Sequence, residues 1–175
     1  VGPNRRFFAF RLHQFVSAGG DVHASLQAPG ERYLTLKAQK YQPNVGRKSL
    51  LYPVLFCRNC GQEFHPVWAH LNNKIPVQID PREFKDESSL RERDVVNGYF
   101  MPDVKSEYNI DDLEKANFPD GWLEPDRNDE LVLKRTYREF APVPCRFRSD
   151  GGASSDGLSG WFLKGSFRFC PSCGV

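Results

Sequence analysis

Four of the five cysteines fall into two matching patterns, Cys57-Arg58-Asn59-Cys60-Gly61 and Cys170-Pro171-Ser172-Cys173-Gly174. Two residues between thiols let a single turn present both sulfurs to one ion at about 2.3 Å, and two such turns supply the four thiolates of a closed tetrahedral Zn²⁺ site. The glycine after each second cysteine suits a left-handed turn, in which backbone N–H groups can point at the sulfurs. The spacing therefore predicts a structural Zn²⁺ site formed by Cys57, Cys60, Cys170 and Cys173. The competing reading is four separate buried or redox-active thiols. Cys145, between Pro144 and Arg146, is left over. No motif supplies it with a base, so it reads as a small buried apolar residue rather than a nucleophile.

Other chemistries find less support. A hydrolytic zinc site keeps one position open for water and draws on histidine or carboxylate ligands. His13, His23, His65 and His70 are scattered, and Pro66 prevents His65 and His70 from forming a regular helical pair. A variant in which His65 replaces one cysteine remains open. There is no G-x-x-x-x-G-K-[ST] loop to cradle phosphates and no acidic box to hold Mg²⁺. The expectation is a non-catalytic chain.

Charge is unevenly distributed. Residues 1–60 carry nine Lys/Arg against two Asp/Glu, residues 61–130 eight against seventeen, and residues 131–175 seven against three. The basic parts are the parts that hold the cysteines, so a metal joining them would build a basic body around an acidic middle. Such a body suits an anionic partner. The candidate phosphate contacts are Arg5, Arg6, Arg11, Lys37, Lys40, Arg47, Lys48, Arg58, Arg146, Arg148 and Arg168, with Phe7 and Tyr41 as candidate stacking surfaces for unpaired bases. A solvated sheet face explains the same residues without a ligand. No apolar run approaches the ~18 residues of a membrane span and no secretory core opens the chain, so the expected setting is the reducing cytoplasm.

The elements that must position these residues read as mainly β with minor helix: an antiparallel scaffold closed by a four-cysteine zinc ribbon. Three parts are expected: N-terminal strands with the first knuckle (1–73), an acidic insertion (74–140), and C-terminal strands with the second knuckle (141–175). Residues 7–16 alternate as a strand, Ala18-Gly19-Gly20-Asp21 reads as a hairpin turn, and residues 22–26 return. Residues 32–41 give a third strand, Pro43–Ser49 a basic loop, 50–56 the strand leading to the first knuckle, and 62–71 its antiparallel partner. Within the insertion, 88–94 suggests a polar turn, 95–101 a strand and 110–116 a short helix that stops before Pro119. Residues 131–140 and 161–169 read as strands, 142–148 as an edge strand because of its prolines, and 149–159 as a loop. A chain ending directly after a metal knuckle suggests a piece of a longer protein.

The strings FRLHQFVSAGGDVHASLQAPGERYLTLKAQKY (10–41), LLYPVLFCRNCGQEFHPV (50–67) and FRFCPSCGV (167–175) resemble a segment of large bacterial DEAD/DEAH-box helicases. These are superfamily 2 enzymes of the broad group that includes phage-defence and DNA-repair helicases. The resemblance implies a zinc-bearing accessory domain lying beside or between RecA-like motor lobes, with ATP binding and hydrolysis located elsewhere in the parent. It covers both ends of the chain and leaves 74–140 unmatched. The implied partner is nucleic acid, DNA rather than RNA. The alternative is a spacer that touches no nucleic acid and recruits protein through the acidic middle and Trp122.

Overall fold

The computed structural model describes residues 16–83, 94–103 and 118–175. Within them the chain is mainly antiparallel β, as its alternating apolar pattern requires. The main sheet comprises β1 (Val16–Ser25), β2 (Leu34–Thr35), β3 (Leu51–Cys57), β4 (Glu63–Asn72), β5 (Ile75–Pro81), β6 (Val95–Pro102), β9 (Val143–Phe147) and β10 (Leu158–Lys164). A separate two-stranded ribbon pairs β7 (Leu123–Pro125) with β8 (Leu131–Leu133). The main path runs β2-β1-β3-β4-β6-β10-β9, with β5 joined to β4. The long strand β4 is the hub: residues 63–64 pair with β3, 65–70 with β6, and 67–72 with β5.

Side chains alternate across this sheet with period two, and both faces are buried. Leu55, Cys57, Phe64, Tyr99, Met101, Trp161 and Leu163 form one apolar layer, which also holds Cys170. Tyr52, Val67, Ala69, Phe100, Phe147 and Phe162 form the other. The first layer is therefore the face that carries sulfur. Phe167 closes over it, edge-on to Phe64 at 4.9 Å and to Tyr99 at 5.5 Å between ring centroids, a geometry that adds to simple area burial. A third cluster lies beside it. There Trp122 stacks on Tyr137 (4.6 Å, 5° between planes) and meets the ring of Phe169 at 5.0 Å.

Several local expectations are corrected. Ala18–Asp21 is no hairpin turn: β1 runs straight through it, antiparallel to β3 on both sides, with an irregularity where Ala18 to His23 spans Leu55 to Pro53. The chain bulges instead of reversing, because one partner strand serves both flanks. Of residues 32–41 only Leu34 and Thr35 pair as a strand, Tyr41 makes an isolated antiparallel bridge to Leu50, and Leu36 stands 75% exposed. Residues 131–140 leave β8 at Leu133 and wind into a 3₁₀ turn over Arg135–Phe140, which delivers Tyr137 and Phe140 to the Trp122 cluster. The final strand stops at Lys164, where Gly165 turns (φ 80°) and its N–H donates to the Asn97 carbonyl. Residues 75–81 and 95–102 are strands of the main sheet, so the sheet crosses the boundary expected at residue 74. The helix expected at 110–116 lies outside the described residues, as do the turn expected at 88–94 but for Asp94 and the strand expected over 7–16 but for Val16, which opens β1.

A buried ionic network braces the start of β4. Arg32 Nη1 donates to both Glu63 oxygens at 2.7 and 2.5 Å. His65, 1% exposed, places Nε2 3.2 Å from Glu63 and Nδ1 3.1 Å from the Pro53 carbonyl. Both ring nitrogens thus face acceptors. Desolvation works against the Glu63 carboxylate, but His65 and Arg32 outweigh it and hold its pKa at about 2. A pKa lowered on folding means stability that is present above the ordinary carboxylate value near 4.5 and is lost as pH falls from there toward 2. Glu63→Gln is expected to cost on the order of 3 kcal/mol at neutral pH and to flatten the loss of stability between pH 4.5 and 2, measured by urea denaturation across that range. An unchanged acid limb would remove Glu63 from this role.

Candidate metal centre

The two knuckles arrive by different routes. Cys57 ends β3 and Glu63 opens β4, so the first knuckle is the tip of the β3–β4 hairpin. The second is reached by the extended run 166–169, which lays Phe167 and Phe169 against the apolar clusters before the turn. Despite this, the two turns share one hydrogen-bond design. The Cys57 N–H donates to the Gln62 carbonyl (2.8 Å) and the Gly61 N–H to the Cys57 carbonyl (2.9 Å). Five residues and four residues along in the same way, the Cys170 N–H donates to Val175 (2.7 Å) and the Gly174 N–H to Cys170 (2.8 Å). Gly61 and Gly174 take φ of 80° and 72°, the left-handed conformation that the sequence pattern anticipated.

The turns bring all four sulfurs to one point. The Sγ atoms of Cys57, Cys60, Cys170 and Cys173 lie within 4.8 Å of one another. Cys57 Sγ is 3.8 Å from Cys173 Sγ, and Cys60 Sγ is 3.7 Å from Cys170 Sγ. Ligands about 2.3 Å from a tetrahedral centre sit about 3.8 Å from each other, so the spacing fits a thiolate-bound ion. It is far from the ~2.05 Å of a disulfide. Among the described residues this is the one cluster of His, Cys, Asp or Glu able to hold a metal.

The electrostatics of the site call for a cation. Desolvation raises the pKa of Cys57 and pushes that of Cys170 far up, although amide N–H groups of Asn59 and Cys60, and of Ser172 and Cys173, point at these sulfurs and partly offset it. At Cys60 the balance reverses: desolvation opposes ionisation, but the Gln62 amide, the Ser172 hydroxyl and the neighbouring thiols bring it to about 7. A bound ion would supply the charge that the buried thiolates lack, displacing their protons. Cys145 stands apart, its Sγ 3.7 Å from the Gly160 carbonyl and its pKa raised by burial. It is half-buried and packs against the second apolar layer. His65 belongs to the Glu63 network and not to the cluster.

Lys37, Lys40, Arg47, Lys48, Arg58, Arg146, Arg148 and Arg168 are all exposed. Arg5, Arg6, Arg11 and Phe7 lie outside the described residues. Lys48 and Arg148 share an open groove of about 480 Å³ with Glu31, Asp150 and Asp156, so its lining mixes both signs. The Arg168 guanidinium carbon sits over Phe140, 3.9 Å from the ring centroid, and Lys40 sits over Tyr41 at 5.6 Å. Trp122 is 9% exposed and packed among aromatic rings, so it is no free anchor for a partner. The Arg32–Glu63–His65 network was not anticipated, since Arg32 and Glu63 stand 31 residues apart and nothing local links them. Among the described residues, no helix is long and apolar enough to cross a membrane. No family model, curated protein or solved structure matches the chain.

Two outcomes follow from this geometry. Cys170→Ser should lose stoichiometric metal, measured by atomic absorption, and lower the melting temperature, while far-ultraviolet circular dichroism keeps its β signature because the sheet holds its own core. Loading the metal-free chain at neutral pH should release about two or more protons per ion, read with an indicator dye in weak buffer. Uptake without proton release would exclude thiolate binding.

Proposed function

We propose that this chain is a non-catalytic accessory domain of an ATP-dependent helicase, in which a structural Zn²⁺ held by Cys57, Cys60, Cys170 and Cys173 fixes a β body that helps the motor lobes engage DNA. The observation that carries the reading is the four-sulfur cluster: a closed all-cysteine set leaves no coordination position for substrate water, which is the signature of a structural rather than a hydrolytic ion. Zinc is the ion favoured by four thiolates in a tetrahedral arrangement. The helicase parentage rests on the resemblance of residues 10–41, 50–67 and 167–175.

Engagement of DNA is supported by the exposure of eight basic side chains, among them Arg58 inside the first knuckle and Arg168 two residues before the second. Arginine and lysine side chains of this kind suit phosphate contacts along a backbone. The spacer alternative is weakened by the burial of Trp122. Fluorescence anisotropy with single- and double-stranded DNA at two salt concentrations decides between them. DNA binding should weaken steeply with salt, and Lys48→Ala or Arg148→Ala should each reduce the logarithmic salt slope by about one. No binding at low salt would leave the spacer role.

A further inference from the structure

The four cysteines are not equally buried. Cys57 and Cys170 are buried, Cys173 is half-buried, and Cys60 alone is exposed. Sulfur contacts of 3.7 Å (Cys60 to Cys170) and 3.8 Å (Cys57 to Cys173) run between the knuckles. Cys60 therefore combines exposure with a partner sulfur of the opposite knuckle at 3.7 Å.

We infer that Cys60 is a site of two-electron oxidation by peroxides, and that the resulting sulfenic acid is resolved by Cys170 of the opposite knuckle, forming a reversible bridge that expels the metal. The inference rests on the zinc reading given above. The Cys60 thiolate attacks one peroxide oxygen, the O–O bond breaks and hydroxide leaves, so that sulfur is oxidised to the sulfenic acid. The Cys170 thiolate then attacks the Cys60 sulfur. An S–S bond forms, the S–O bond breaks, and the oxygen departs as a second hydroxide. Two electrons pass from the two sulfurs to the peroxide, and two protons from solvent convert both hydroxides to water. Closing the pair from 3.7 Å to about 2.05 Å needs a shift of under 2 Å. The ion loses two of its four ligands and leaves with its charge unchanged, since Zn²⁺ has no redox chemistry of its own. The bridge joins the same two turns that the metal joined, so the closure between residues 60 and 170 survives in oxidised form and reduction restores the ligand set.

The test uses the zinc-loaded chain carrying Cys145→Ser, so that only the four ligand cysteines remain. Metal content is measured first; a chain that binds no zinc defeats the metal reading itself. Hydrogen peroxide is then added, zinc release is followed with a chromophoric chelator, and disulfides are mapped by mass spectrometry of non-reduced peptides. The expected result is a Cys60–Cys170 peptide pair accumulating with zinc release, both reversed by dithiothreitol and added zinc. Cys60→Ser should slow peroxide-driven release by roughly tenfold or more. Zinc present at the start but Cys57–Cys60 or Cys170–Cys173 bridges as the main product, or cysteine acids without any bridge, would overturn the inference and leave the zinc reading standing. The map on the protein with all four ligands decides even if the Cys60 variant fails to fold.

Discussion

The structure depends on a convergence of four sulfurs from chain positions more than a hundred residues apart. The closure entropy of so long a loop rises only with the logarithm of its length, so joining residues 60 and 170 costs little more than joining much nearer ones. Much of that closure is already made by the sheet. Strands β3, β4, β6 and β10 are consecutive neighbours, and the first knuckle is the hairpin between two of them. A metal at the cluster would have only to hold the last turn, which follows a segment outside the strand pairing. This explains why the second knuckle carries its own anchors: Phe167 and Phe169 pack into two different clusters within three residues of Cys170.

Burial sets the terms for everything polar near this closure. The cysteine layer of the sheet is apolar, and desolvation raises the pKa of Cys57 and Cys170 for that reason. The Glu63 carboxylate, only three residues after Cys60, meets the same penalty and is rescued by His65 and Arg32. The two solutions are alike in physics. A buried anion needs a cation within a few ångströms; side chains supply it at Glu63, and a bound ion would supply it at the thiolates. Arg32 reaches Glu63 from the segment between β1 and β2, so the charge network also pins that segment to the root of the knuckle hairpin.

What could be read in the amino-acid order divides along the same physical line. The knuckles were legible because ligand spacing, the glycine after each pair and the turn hydrogen bonds are all local. The strands β3 and β4 were legible because the hairpin tip is the knuckle itself, and β9 because Pro144 confines it to an edge, where its single strand partner is β10. The failures are places where a distant partner decides. The run at 18–21 has turn composition, yet β3 lies along both of its flanks and draws it into one strand. The run at 131–140 has strand composition, yet Trp122 captures Tyr137 and Phe140. Trp122 itself looked solitary in an acidic stretch because its aromatic neighbours, Phe118 excepted, come from residues 137–169. No periodicity within a short window contains that information.

The relation between the sulfur cluster and the basic surface turns on Arg168. Its guanidinium carbon sits over Phe140, 3.9 Å from the ring centroid, and Phe140 belongs to the cluster that also buries Phe169, the residue just before Cys170. An arginine held over a ring gives up rotamer freedom in advance, so less entropy remains to be lost when an anion is met. The order of the last residues, arginine, aromatic, cysteine, then ties a charged surface group, a core ring and a metal ligand to one short stretch of backbone. If that stretch is held by the ion, the position of the Arg168 charge is held with it; a DNA affinity that depended on Arg168 would then depend on the metal as well, without any ligand-to-phosphate contact.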